Sequence, residues 1–72
     1  MAKYEYKVSA KNGRLPNSAY SIETTSNSKP YRAIRGNIFG GATIGNYSSH
    51  EEAYSAIVED TQKYGATGIT IS

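Results

Sequence analysis

The chain has 72 residues, a formal net charge of +2, a single His and no Cys. Its length fits one domain, residues 1–72, and a chain this short buries only about 60% of the surface that its unfolded form exposes. Without Cys there are no disulfides or thiolate metal sites, and one His excludes a multi-histidine cage, so we expect no metal and no cofactor. No apolar run approaches the ~18 residues of a membrane span. We therefore expect a soluble, cytoplasmic protein with no membrane partner.

The charges are divided unevenly along the chain. Residues 1–50 hold seven basic and two acidic side chains, a balance of +5, whereas residues 51–72 hold one basic and four acidic side chains, a balance of −3. The first part is predicted to form strands and the second to form a helix and a last strand. This split predicts a cationic sheet backed by an anionic helix. Such a sheet is the electrostatic footprint of a negatively charged partner.

The first two predicted elements are half-buried strands. Residues 3–10 alternate between polar side chains and apolar or aromatic ones, which is the period of a strand with one buried face. Residues 11–17 contain Asn-Gly and predict a loop. Residues 19–25 alternate again, with Tyr20 and Ile22 directed inward.

A third strand is predicted over residues 31–35 and a fourth over residues 38–46. Gly36-Asn37 between them fits a two-residue hairpin turn, in which Gly adopts the positive φ of the first turn position. Gly40-Gly41 inside the fourth strand indicates a bulge or a close approach of another backbone. An alternative places the turn at Gly40-Gly41 instead.

A helix follows, and its start carries the clearest signals. Ser48 or Ser49 can cap it, and Ser49 with Glu52 forms a capping box. Lys63 is predicted in the last turn, with Gly65 as a left-handed stop. The apolar stripe at helical spacing consists of Ala53, Tyr54, Ile57, Val58, Thr61 and Tyr64.

Residues 69–71 read as a short final strand. The predicted fold class is therefore α+β, a small and mostly antiparallel sheet packed on one face by a single α-helix. The predicted order of elements is β-β-β-β-α-β.

The titratable residues do not predict an enzyme. His50 is predicted to be an exposed histidine of the first helical turn, and its neighbouring serines make no dyad without an orienting third group. The glycines lack the spacing of a phosphate-binding loop. Four acidic residues avoid the apolar stripe and read as a solvated helix face, namely Glu51, Glu52, Glu59 and Asp60.

The basic residues are better candidates for function. Lys29, Arg32 and Arg35 fall on or beside one hairpin with Tyr31. Strand alternation places Arg32 and Arg35 on opposite faces unless a bulge intervenes. The bland alternative is that these cations only solubilise the sheet and protect its edges. The candidate nucleic-acid-binding residues are Arg32, Arg35, Lys29, Tyr31, Lys7 and Lys11.

The pattern of residues 20–66 resembles the plant APETALA and ethylene-response DNA-binding domain and the arm-type DNA-binding domain of tyrosine integrases. The most similar stretch is residues 44–53, an aliphatic residue, Gly, any residue, an aromatic and a capped helix that opens with Glu-Glu-Ala. Tyr31-Arg32-Ala33 is similar to the aromatic-Arg-Ala of the family's second strand. The family's Tyr-Arg-Gly-Val opening is Tyr20-Ser21-Ile22-Glu23 here. The resemblance implies three strands with a packing helix, a sheet in the DNA major groove, and Arg32 and Arg35 as contacts.

Two hypotheses follow. The first is a small non-enzymatic nucleic-acid-binding module that contacts phosphates through its basic sheet surface. The second is a small protein-interaction module, either an inhibitor from a phage or mobile element or a homodimer that pairs through a sheet edge. Small size, seven Tyr residues and frequent Ser favour the second. The charge split and the resemblance place nucleic acid first.

Overall fold

The computed structural model describes residues 2–37 and 39–72. The elements are β1 (Lys3–Ser9), β2 (Ala19–Thr24), β3 (Tyr31–Arg35), β4 (Ala42–Tyr47), α1 (His50–Thr61) and β5 (Thr70–Ile71). All strand pairs are antiparallel, and the sheet order is β4-β3-β2-β1-β5. The predicted α+β class and the order β-β-β-β-α-β are confirmed. In the part of the chain that the structure describes, no helix has the length and apolar character needed to cross a membrane.

The core lies between α1 and one face of the sheet. Tyr20 and Ile22 of β2, which the alternation places inward, are fully buried there, as predicted. Ala33 of β3 is paired with Ile22 and lies on the same face. Val8 of β1 and, from the helix, Ala53 and Ile57 complete the cluster. Because burying one Ile side chain stabilises a fold by roughly 1.5–3 kcal/mol, these few contacts account for much of the attachment of α1 to the sheet.

The start of α1 follows its sequence signals. The Ser49 hydroxyl accepts a hydrogen bond from the Glu52 N–H at 3.1 Å, and the Glu52 carboxylate accepts one from the Ser48 N–H at 3.1 Å. The first bond satisfies a main-chain donor that the first turn leaves without a helical partner, and the second links the Glu52 side chain to the residue before the cap. Ser49 is therefore the cap.

The end of α1 comes earlier than predicted. The helix stops at Thr61, so Lys63 lies beyond its last turn and Tyr64 is 55% exposed instead of lying on the apolar stripe. The physical reason is that the chain tightens here, because the Gln62 N–H bonds to the carbonyl three residues back rather than four. Gly65 has the predicted positive φ, 81°, but in the following turn.

The predicted two-residue hairpin turn at Gly36-Asn37 is wrong. Arg35 ends β3 and pairs with Ala42, the first residue of β4, so residues 36–41 form the connection. Gly36-Asn37 and Gly40-Gly41 both lie within this connection, which is why the sequence offers each of them as the turn. Gly36 has the predicted positive φ, 108°. Ile38, predicted in the fourth strand, lies outside the described residues.

The predicted close approach at Gly40-Gly41 occurs at Gly41. A Cβ there would lie 2.5 Å from the Arg35 carbonyl oxygen and 2.6 Å from Ile34 Cγ2. The bulge lies elsewhere, because the β3–β4 register shifts between Ala33 and Ile34. The shift leaves Ile44 of β4 as the extra residue.

Candidate functional site

Arg35 forms an ion pair with Asp60 beneath the helix. Its Nε donates to Asp60 Oδ2 at 2.7 Å, and its Nη2 donates to the other carboxylate oxygen. The Tyr20 hydroxyl donates to the same Oδ2 at 2.6 Å. The prediction that Asp60 belongs to a solvated face is wrong, since its side chain is only 9% exposed. Asp60 lies on the flank of α1 that faces β3, and there it has two donors.

The hydrogen bonds set the charge states of this cluster. The Arg35 guanidinium lowers the pKa of Asp60, with partial burial opposing it and the Tyr20 hydroxyl adding to it. Burial raises the pKa of Tyr20, and its hydrogen bond to Asp60 raises it further. At neutral pH the cluster is therefore a guanidinium, a carboxylate and a neutral phenol, with no group poised to move a proton.

Arg32 points to the opposite face of the sheet, which is called the open face here because α1 does not cover it. Its Nη1 lies 3.2 Å from Glu23 Oε2, and its Nε donates to Thr43 Oγ1 at 2.8 Å. The predicted opposite orientation of Arg32 and Arg35 is confirmed. Each guanidinium already has a carboxylate partner, so the structure does not bring the two together as a phosphate-binding pair.

The other candidate residues are also dispersed. Tyr31 is half-buried on the helix side, with its ring centroid 6.1 Å from that of His50. Lys7 lies exposed on the open face of β1, Lys11 in the loop after β1 and Lys29 in the loop between β2 and β3. Among the described residues no carboxylate forms a salt bridge with these three lysines. Because the two loops leave the sheet at opposite ends, the candidate residues form no single surface.

His50 is not the exposed histidine that was predicted. It is half-buried, and its Nε2 lies 3.0 Å from the Tyr6 hydroxyl. The Tyr4 ring makes an edge contact with the imidazole at 4.8 Å between centroids. Burial raises the pKa of Tyr6, which disfavours a phenolate nucleophile. Packing therefore accounts for this aromatic cluster.

The open edge of β4 is a feature that sequence reasoning did not locate. β4 is an outer strand of six residues, Ala42–Tyr47, with no charged residue and no Pro. The strand at the other edge, β5, has only two residues. Proteins commonly protect sheet edges by short strands, charges, Pro or bulges. β5 is protected by its shortness, whereas β4 has only the bulge at Ile44.

Hydrogen-bond alternation shows which groups of β4 face outward. The Gly36 N–H donates to the Ala19 carbonyl. Successive residues of a strand bond alternately to its two neighbouring strands, so every second residue of β3, counted back from Gly36, also bonds to β2. Ala33 falls between those positions and bonds to its β4 partner, Gly45. The next β4 residue, Asn46, therefore directs its N–H and C=O away from the sheet. A partner strand could form main-chain hydrogen bonds with this N–H and C=O.

A shallow depression of about 370 Å³ lies between the β4 edge and α1. Ile44, Tyr47 and Ala56 give it an apolar floor, and all three are half-buried. Its rim carries Glu59 and Lys63, one charge of each sign. The edge thus combines free main-chain groups with partly exposed apolar surface.

Comparisons with known proteins add no relative. No family model matches the chain, and no curated protein or solved structure matches it. The resemblance to the plant and integrase DNA-binding domains stays a prediction.

Proposed function

We propose that this chain is a protein-interaction module that forms a homodimer by pairing the β4 edges of two copies. The observation that carries the proposal is the outer strand Ala42–Tyr47, which is uncharged and directs the main chain of Asn46 outward. Unpaired strand edges are templates for another strand. A second copy presents the same edge, and antiparallel pairing about a twofold axis satisfies both.

The surroundings of the edge suit a second copy. A twofold axis perpendicular to the sheet keeps both helices on the same side of one continuous sheet. The apolar floor of Ile44, Tyr47 and Ala56 then lies beside its counterpart and loses solvent contact. The rim brings no net charge, since Glu59 and Lys63 balance and Asp60 is neutralised by Arg35.

Nucleic-acid binding by the sheet surface has less support. Arg35 would have to leave Asp60, and Arg32 would have to leave Glu23, before either could bind a phosphate. Removing Arg35 from Asp60, whose side chain is largely buried, leaves an uncompensated charge. A role as an inhibitor from a phage or mobile element would use the same edge with a foreign strand as its occupant.

Sedimentation velocity from micromolar to millimolar protein tests the homodimer. We expect the wild-type mass to double as concentration rises. Asn46→Pro removes the outward N–H without taking a bond from β3, so this variant should stay monomeric. Asn46→Ala keeps the N–H and is the matched control, which should dimerise. Circular dichroism confirms that both variants fold.

A wild-type protein that stays monomeric at millimolar concentration overturns the homodimer. So does equal dissociation of Asn46→Pro and Asn46→Ala, because the N–H would then have no role. A monomer whose β4 amides shift when a foreign extended peptide is added would move the proposal to the inhibitor role.

A further inference from the structure

Two basic side chains lie beside an exposed tyrosine beyond the ends of β1 and α1, and a third basic residue lies in the loop that carries one of them. The Arg14 guanidinium carbon lies 5.9 Å from the centroid of the Tyr64 ring, and Lys63 Nζ lies 6.0 Å from it. Lys11 lies in the same loop as Arg14, and all four side chains are exposed. These residues, Lys11, Arg14, Lys63 and Tyr64, are called the end cluster.

The backbone holds the two parts of the end cluster together. Two main-chain hydrogen bonds join the loop after β1 to the chain after α1. The Asn12 N–H donates to the Thr67 carbonyl at 3.2 Å, and the Thr67 N–H donates to the Asn12 carbonyl at 2.9 Å. Gly13 has a φ of 84°, and a Cβ there would lie 2.7 Å from Ala66 Cα. Only glycine permits this close contact. Arg14 is therefore carried on a fixed loop, which limits the entropy lost on binding.

The cations of the end cluster form no ion pair within residues 2–37 and 39–72. Among the described residues, the salt bridges are those of Arg32 and Arg35, and neither involves Lys11, Arg14 or Lys63. Asp60 lies near Lys63, but Arg35 and Tyr20 already bind its carboxylate. The negative end of the helix dipole accounts for a cation at Lys63. It does not account for Arg14, which the loop brings to the Tyr64 ring.

We propose that the end cluster binds single-stranded nucleic acid. A base stacks on the exposed Tyr64 ring, and the phosphates on either side of it contact Lys11 and Arg14. Unpaired cations beside an exposed aromatic ring form the usual surface for unstacked bases and their backbone. A duplex does not expose a base face to such a ring. The site uses no residue of β4 and shares one residue, Lys63, with the rim of the proposed dimer surface.

Fluorescence anisotropy with labelled oligothymidine and oligouridine of about 12 nucleotides tests the site. Lys63 also borders the β4 depression and is left unchanged. The double variant Lys11→Ala with Arg14→Ala should weaken binding and reduce the slope of log affinity against log salt by about 1.4, at ~0.7 for each lost phosphate contact. The matched control, Lys7→Ala with Lys29→Ala, removes two exposed charges outside the end cluster and should keep the slope.

The stacking step is tested separately. Tyr64→Ala should weaken oligonucleotide binding about tenfold, within the range for loss of one base–aromatic stack. Tyr64→Phe keeps the ring and should bind like the wild type. Inorganic polyphosphate has no bases, so its binding should not respond to Tyr64→Ala.

Several results would overturn the proposal. They are no binding at the lowest salt, equal losses in the two double variants, tighter binding to a duplex of the same length, and equal losses in Tyr64→Ala and Tyr64→Phe.

Discussion

Arg35 and Asp60 join the sheet to the helix through two hydrogen bonds, one of them 2.7 Å from Nε to Oδ2. Tyr20 adds a third bond to the same carboxylate, so β2, β3 and α1 meet at one acidic group. A guanidinium predicted to contact nucleic acid is thus part of the structural attachment of α1. This relationship shifts the balance of the two functional hypotheses toward protein interaction.

Asp60→Ala should lower the free energy of unfolding by about 2–3 kcal/mol. The substitution leaves the Arg35 guanidinium without its counter-ion and the buried Tyr20 hydroxyl without its acceptor. Urea unfolding followed by circular dichroism measures the change. Glu23→Ala is the matched control, since Arg32 on the open face is 35% exposed. An exposed pair contributes under about 1 kcal/mol, so equal losses would contradict this role of Asp60.

Acid should weaken the fold through Asp60. Its pKa in the folded chain is lowered by Arg35. A carboxyl of this kind stabilises the fold fully above its unfolded pKa of about 3.9, and the contribution is lost as pH falls through the folded value. We expect the free energy of unfolding to fall below about pH 4, and to fall less in Asp60→Asn. Urea unfolding across a pH series measures both slopes, and the same slope in both proteins would refute the prediction.

Gly41→Ala should destabilise the fold by about 1–3 kcal/mol. The added Cβ would meet two main-chain oxygens, those of Arg35 at 2.5 Å and Asn37 at 2.7 Å, and the Arg35 oxygen is fixed by β3. Gly40→Ala is the control, because its Cβ meets only the Asn37 side-chain oxygen, at 3.8 Å. Thermal or urea unfolding of the pair should separate them. A neutral Gly41→Ala would show that the connection can rearrange.

Ser49→Ala should cost about 1 kcal/mol, because it removes the acceptor for the Glu52 N–H at the start of α1. Ser55→Ala is a fair comparison, since Ser55 is exposed in the middle of the helix and Ala favours helix there. Urea unfolding of the two variants decides whether the cap contributes. A loss no greater than that of Ser55→Ala would exclude it.

Local periodicity was enough to predict the elements. The alternation around Tyr20 and Ile22 identified β2 and its buried face, and Ser49 with Glu52 identified the start of α1. These signals act between residues close in the chain, so they survive without knowledge of the tertiary structure. The two-residue turn failed because Gly36-Asn37 and Gly40-Gly41 both lie within one longer connection.

The partners of polar side chains were beyond such reasoning. The position of Asp60 off the apolar stripe predicts a solvated side chain, but a helix flank can face a neighbouring strand as well as water. The aromatic surroundings of His50 and the pairing of Arg14 with Tyr64 depend on how distant segments come together. The open edge depends on strand order, which no local pattern encodes. An uncharged strand immediately before a helix is the signal that could have directed attention to β4.

The most direct test of the homodimer is an isotope-filtered NMR experiment on mixed labelled and unlabelled protein at millimolar concentration. It detects only proton contacts between two copies. The account predicts contacts between the β4 strands, centred on Ile44–Asn46 and absent in Asn46→Pro. Contacts confined to another surface, or none at all with a monomeric mass, would contradict it.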